Sequence, residues 1–183
     1  MGFLKFLISQ NIDNLHIKSG IEHKLIAELH GNYTLLKCVD CDARYYKTEL
    51  NWDNDVYGWG ARSSEPHEDQ PNCPECNGRL ISSIVNFKEP MPEKEMQLAK
   101  EHAKKCDLMI VIGSSLKVSP ANLIPRIAYE NGSDIVIINL DPTGMDNLFD
   151  SRRIKAKAGE ILPIVIHELK KKTLKIPKIS NNE

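Results

Sequence analysis

No stretch of this 183-residue chain approaches the roughly 20 consecutive apolar residues that cross a bilayer, which excludes a transmembrane helix. Net charge is nearly absent. Its 24 Lys and Arg against 25 Asp and Glu leave −1, so nothing demands nucleic acid or an anionic membrane as the main partner. There is no internal repeat and no Gly-x-Gly-x-x-Gly fingerprint; Gly58-Trp59-Gly60 comes nearest but lies in a loop-rich stretch and reads as a turn. The apolar opening, Met1 to Gln10, lacks the basic start and small-residue cleavage site of a secretory leader, and Phe3 to Ser9 reads as a strand. With 41% apolar and 27% charged residues, the composition is that of a globular protein: one domain, or one domain carrying a small insert.

Cysteine is sparse but patterned. Four of the five form two pairs, Cys38-Val39-Asp40-Cys41 and Cys73-Pro74-Glu75-Cys76, with 31 residues between them. Two residues between cysteines let both thiolates of a knuckle face one tetrahedral ion, and Pro74 and Gly78 supply tight backbone for it. Disulfides or a redox Cys-x-x-Cys compete with this reading, but the redox motif predicts one such pair beside a βαβ pattern, not two. Four thiolates leave no position for water, so the zinc is structural rather than hydrolytic. Cys106 is left over and reads as a buried reduced thiol. Such usage points to a reducing intracellular compartment, nucleus or cytoplasm.

The remainder reads as an α/β frame: an incomplete Rossmann-like parallel sheet with an inserted small zinc-binding module. Residues 1–34 form its first part, 35–80 the module, 81–169 the rest, and 170–183 a basic flexible tail. The module holds both tryptophans and a polar run from Arg62 to Gln70, and cannot build a large core without its metal. Pro92 opens a helix with Met96, Ala99 and Ala103 on one face. Leu108 to Ile112 reads as a strand buried on both faces, Pro120 to Glu130 as a helix, and Ile135 to Ile138 as a second strand, together a βαβ unit. A short strand near Arg153 to Ala156 and a helix from Ile161 to Lys171 follow. Ligands of open parallel sheets gather at strand carboxyl ends, so Gln10 to Asp13, Gly113 to Ser115 and Asn139 describe one candidate site.

Five motifs carry a family resemblance: Ser9-Gln10-Asn11-Ile12-Asp13-Asn14-Leu15-His16, Glu28-Leu29-His30-Gly31, the two cysteine pairs, Gly113-Ser114-Ser115-Leu116-Lys117-Val118, and Ile137-Ile138-Asn139. In that order and spacing, from about Leu7 to about Leu169, the chain resembles the sirtuins, NAD-dependent protein-lysine deacylases. Its motif wording is nearest to the branch that includes the mammalian nuclear and nucleolar members.

The resemblance implies that His30 is the general base, taking a proton from the NAD ribose hydroxyl; without it, a structural histidine would be the favoured reading of His30. His16, His23, His67, His102 and His167 are left as surface or structural groups. It also implies that Gln10, Asn11 and Asp13 line the nicotinamide-ribose pocket. There Asp13 would meet the carboxamide and Asn11 would orient the ribose or a water, so both join His30 in the catalytic set. Ser114 and Asn139 would take the adenosine ribose, Gly113 and Ser115 belong to the same cofactor-binding set, and Ala158 would meet adenine through its backbone. The bland readings are a strand-end turn for the first group and a helix N-cap for the serines. An acyl-lysine peptide would add as a strand between Val85-Asn86-Phe87-Lys88-Glu89 and Leu116-Lys117-Val118, and backbone pairing of that kind tolerates many sequences. No membrane and no direct nucleic-acid site is expected among the partners.

Two departures stand out. Lys88 occupies the place of a family glycine, which bears on peptide affinity. No Gly-Ala-Gly-x-Ser loop occurs, and without its backbone donors the diphosphate is poorly held. The expectation is therefore an N-terminally truncated sirtuin catalytic domain, weak or inactive as it stands. A non-catalytic zinc-containing peptide-binding module and a mono-ADP-ribosyltransferase are the alternatives.

Overall fold

Two short apolar runs open the fold as parallel neighbours: β1, Leu7–Ser9, pairs with β2, Ile26–Glu28, in the register Leu7 to Ile26 and Ser9 to Glu28. The computed structural model describes residues 4–147 and 152–174. It divides into two units, Met1–Lys100 and Glu101–Glu183. Strand β1 is shorter than the Phe3 to Ser9 expected, since residues 4–6 are not in the ladder and Phe3 lies outside the described residues. Helix α1, Leu15–Lys18, is a single turn between the strands.

The module of the first unit is a three-stranded antiparallel sheet. Its central strand β3, Leu35–Cys38, is flanked by β4, Arg44–Tyr46, and, after helix α2, Asn54–Tyr57, by β5, Leu80–Ser82. Leu36, Cys38, Trp52, Cys73 and Leu80 form its core, so two of the paired cysteines are core residues. Asp53 caps α2 by accepting from the Asp55 N–H at 2.8 Å, and Gly58 ends the helix at φ +64°, a conformation that glycine adopts without penalty. Helix α3, Glu93–Ala103, follows, with Ala99 and Ala103 fully buried on the face read from the sequence.

The second unit contains the expected βαβ unit. Strands β6, Leu108–Ile112, and β7, Asp134–Ile138, run parallel, with helix α4, Leu123–Glu130, connecting them and packing on both. Strand β8, Arg152–Ile154, pairs with the far side of β7. Parallel strands thus occur in both units, and the antiparallel sheet is the insert between them in sequence.

Three expectations need correction. Strand β6 is not buried on both faces: Val111 is buried, but Leu108, Ile110 and Ile112 are 50%, 46% and 41% exposed. It is the margin of the β6-β7-β8 sheet, and only one of its faces is covered by described residues. Helix α4 starts three residues after Pro120, because residues 119–122 are held in turns by Asn122 N–H to Val118 and Leu123 N–H to Pro120. The last helix, α5, Ala158–Leu174, is longer than expected at both ends, and its final turns take up Lys170, Lys171 and Lys172 of the segment read as a flexible tail. Cations suit the carboxyl end of a helix, and Lys171 pairs with Glu168 at 3.0 Å. Residues 175–183 of that segment lie outside the described residues. No helix among the described residues is long and apolar enough to cross a membrane.

Candidate active site and metal centre

The β1–β2 register decides where His30 sits. Ser9 lies opposite Glu28 and its carbonyl accepts the Leu29 N–H at 2.9 Å, so the next residues out, Gln10 and His30, meet beyond the paired ends. His30 Nδ1 is 3.0 Å from the Gln10 carbonyl oxygen. A carbonyl can only accept, so Nδ1 carries the proton and the Nε2 lone pair is left without a partner among the described residues.

The turn that carries His30 is pinned from below. Gly31 has φ +76°, and a Cβ there would stand 2.0 Å from the Ser83 carbonyl oxygen, so only glycine fits. Next to it, Asn32 is almost fully buried and fully used: its amide donates to Asn14 Oδ1 at 2.7 Å and Glu28 Oε1 at 2.8 Å, and its oxygen accepts from Thr34 N–H and Oγ1. Ser83 Oγ closes the turn by donating to the Asn32 carbonyl at 2.8 Å. Across β2, Glu95 of α3 accepts the Glu28 N–H at 2.9 Å and pairs with Arg44 at 2.8 Å, both side chains mostly buried.

Burial pushes the Glu28 carboxyl above its ordinary 4.5; the Asn32 hydrogen bond opposes this and Glu95 adds to it. A folded value above the unfolded one means that the protonated form suits the fold. This group's stabilisation is complete below 4.5 and is lost as pH rises through the folded value. Glu28→Gln keeps an oxygen for Asn32 without a charge to desolvate. It is expected to melt higher than the parent at pH 7, the gap closing below about 4.5, as thermal melts at the two pH values would show.

The other residues assigned to the nicotinamide end lie in the turn after β1. Asp13 Oδ1 accepts the Leu15 N–H at 3.0 Å, the strand-end turn read as the alternative, and its second oxygen has no partner among the described residues. Asn11 is exposed, its N–H bonded to Ser9 Oγ at 3.1 Å. The segment assigned to peptide binding joins the same turn, because the Val85 N–H donates to the His30 carbonyl at 3.0 Å. Beyond it Asn86 to Glu89 form a turn, with Glu89 N–H to Asn86 at 3.0 Å and Phe87 95% exposed at its tip.

Lys88, in place of the family's glycine, has φ +72°. A left-handed conformation costs an L side chain about 1–2 kcal/mol, more than glycine loses in chain entropy. Lys88→Gly is therefore expected to stabilise by about 0.5–1 kcal/mol and to raise the Tm by roughly 2 °C, read by calorimetry.

In the second unit the carboxyl ends of β6 and β7 lie side by side, since the Gly113 N–H donates to the Ile138 carbonyl at 3.0 Å. Ser114 Oγ accepts the Leu116 N–H at 3.3 Å, and Ser115 is tied to Gly144 at 2.8 Å. Asn139 donates from its side chain to the Asp141 carbonyl at 2.7 Å. Lys117 and Val118 are exposed in the loop that follows, and Ala158 is the first residue of α5.

The metal centre belongs to the first unit. Asp42 and Asn77, each just after the second cysteine of a pair, have φ +59° and +61° and turn the two knuckles. Cys38 and Cys76 sulfurs are 3.4 Å apart, those of Cys41 and Cys73 3.6 Å, and all four sulfurs lie within 4.8 Å of one another. Four sulfurs about 2.3 Å from one zinc stand about 3.8 Å apart, so the cluster fits that ion, and no pair is bonded as a disulfide. Burial raises the Cys73 thiol, but hydrogen bonds from Tyr45, the Cys76 and Glu75 backbone and Cys41 outweigh it and hold it at about 6. Cys76 is lowered by the Gly78 backbone yet driven up to about 12 by Cys38, Cys41 and Cys73. Four crowded thiols with such opposed proton affinities need a cation to ionise together. A Cβ on Gly78 would press within 2.2 Å of Asp40 Oδ2 and 2.9 Å of the Cys38 sulfur, which is why the second knuckle needs glycine there.

Residues 1–120 match the Sir2 family. The chain belongs to the Sir2 family. It is 38% identical over 171 residues to the NAD-dependent protein deacylase of Pyrococcus furiosus, covering 93% of this chain and 64% of that one. With the NAD-dependent protein deacetylase of Thermodesulfovibrio yellowstonii the identity is 39% over 174 residues, covering 92% and 61%. Among solved structures, Sir2Tm bound to a propionylated peptide superposes with a TM-score of 0.69 at 32% identity, covering 91% of this chain and 65% of that one. Sir2Af2 bound to a myristoylated histone peptide gives 0.68 at 35%, covering 94% and 67%. The chain thus spans a little over three fifths of the length of the curated Sir2 relatives.

Sequence reasoning missed the supports of the His30 turn in this Sir2 chain. Asn32 directly follows the Glu-Leu-His-Gly motif, and a polar residue among Leu29, Leu35 and Leu36 was a signal available in the sequence. The Arg44–Glu95 pair had none, because 51 residues separate its members.

Proposed function

We propose that this chain carries the catalytic base and the structural metal centre of an NAD-dependent protein-lysine deacylase. The observation that supports this reading most is the His30–Gln10 contact, which aims a proton on Nδ1 at the main chain and leaves Nε2 as an acceptor. An imidazole in that tautomer can take a proton from a hydroxyl placed against Nε2. The pinned turn of Gly31, Asn32 and Ser83 keeps the ring from rotating away, which is how a base retains its effective concentration.

In this reading NAD, when bound, supplies the ribose that accepts the acyl group, and acetyl-lysine peptide plus NAD and one water yields free lysine, nicotinamide and O-acetyl-ADP-ribose. His30 Nε2 takes the proton of the ribose hydroxyl. Asn11 and the second oxygen of Asp13 orient the ribose and the carboxamide. In the second unit, Ser114 and Asn139 are assigned to the adenosine ribose, Gly113 and Ser115 to the same cofactor-binding set, and Ala158 to adenine. The peptide pairs with backbone of Val85, Phe87, Lys88 and Glu89 and of Lys117 and Val118. Cys38, Cys41, Cys73 and Cys76 would hold zinc with every coordination position filled, so the metal shapes the module and takes no part in acyl transfer.

The test is nicotinamide release with protein in excess over NAD, so that a single turnover suffices. Release with an acetyl-lysine peptide and none with the unmodified peptide supports the assignment. No release from either at stoichiometric protein overturns it, and release from both redirects it to NAD hydrolysis or ADP-ribosyl transfer.

A further inference from the structure

Lys47 is buried, with 7% of its surface exposed. Its ammonium donates to the Asn54 side-chain oxygen at 2.7 Å and lies over the Trp59 ring, 5.0 Å from the centroid. Among the described residues it forms no ion pair with a carboxylate. Burial pulls its pKa below the ordinary lysine value. An amide and a ring face offset only part of what an ammonium loses on leaving water, so the position favours an anion from outside the chain.

There is room for one. Lys47 lines a cavity of about 380 Å³ within the first unit, in the size range of small-molecule sites. Three of its walls are aromatic, Tyr33, Tyr46 and Trp52, and no Asp or Glu lines it. Asn54 gives its oxygen to Lys47, which leaves its amide N–H groups as donors, and Thr48 adds a hydroxyl. A single cation, neutral donors and flat apolar walls select a ligand that is negative at one end and planar and apolar at the other.

We propose that this cavity binds a small organic carboxylate with a flat apolar body, its carboxylate on the Lys47 ammonium and its body among the three rings. The proposal does not rest on the deacylase assignment: Asn14 and Thr34 of the lining also bond Asn32 of the His30 turn, but Lys47, the three rings and Asn54 take no part in the assigned chemistry.

The chain's two tryptophans both stand at this site, Trp52 in the wall and Trp59 against Lys47, so indole emission reads it directly. Benzoate is the probe, benzamide its neutral isostere, and sodium chloride the control for ionic strength. Benzoate is expected to change the emission saturably with a Kd on the order of 1 mM, and benzamide to bind at least about tenfold more weakly. Lys47→Met should lose the benzoate response and Lys47→Arg should keep most of it. Equal binding of benzoate and benzamide by the parent chain overturns the proposal without any variant having to fold. So does a benzoate titration that follows chloride, or Lys47→Met that binds benzoate as the parent does.

Discussion

Replacing His30 with alanine is expected to lower acetyl-peptide-dependent nicotinamide release by roughly 10²–10⁴-fold, the range a positioned general base contributes. The structure makes the loss specific. His30 is only half-buried, and the one hydrogen bond its ring makes among the described residues goes to the main-chain carbonyl of Gln10, so removing the ring leaves no buried charge and empties little packed volume. Metal content and thermal melting should therefore stay those of the parent while release collapses. Alanine at Asn32 tests the supporting turn separately: it strands Glu28 Oε1, Asn14 Oδ1 and the Thr34 donors at once, and is expected to lower stability together with release. A His30→Ala protein that releases nicotinamide at the parent rate would remove this imidazole from the chemistry.

Stripping the metal from the four-cysteine cluster, or replacing Cys73 with serine, is expected to unfold the module. Its core consists of Leu36, Cys38, Trp52, Cys73 and Leu80, so the sulfurs are both ligands and packing. Structural zinc binding by small domains amounts to about 10–16 kcal/mol, far beyond what so few apolar side chains supply. A strong chelator should abolish the near-ultraviolet circular dichroism of Trp52 and lower the melting temperature by more than about 10 °C, with about one zinc released per chain. Metal analysis giving less than about half an equivalent, or a melt indifferent to chelation, would refute the structural role. Strands β1 and β2 pair outside the β4-β3-β5 sheet, so their hydrogen exchange separates module loss from global collapse.

Local pattern carried the parts of this protein that depend on neighbours in sequence. The cysteine pairs were legible because two-residue spacing is itself the knuckle, and the βαβ unit because an apolar run, a helix period and a second run follow in order. What failed depended on position in space. Leu108 to Ile112 has the composition of a strand covered on both sides, yet composition does not say whether a strand is central or marginal, and β6 is marginal among the described residues. Lys47 gave no sign of burial, since a lysine between Tyr46 and Thr48 looks like any surface position until Trp52, Asn54 and Trp59 enclose it. The left-handed backbone at Lys88 was foreshadowed only by its departure from a family glycine.

The partner that fixes the His30 tautomer is a peptide carbonyl, a group that every amino acid possesses. Ring orientation is therefore set by the path of the main chain at position 10 and not by the side chain that position carries. The imidazole's placement is vulnerable instead at Gly31, where a single methyl group would push the turn off the Ser83 carbonyl.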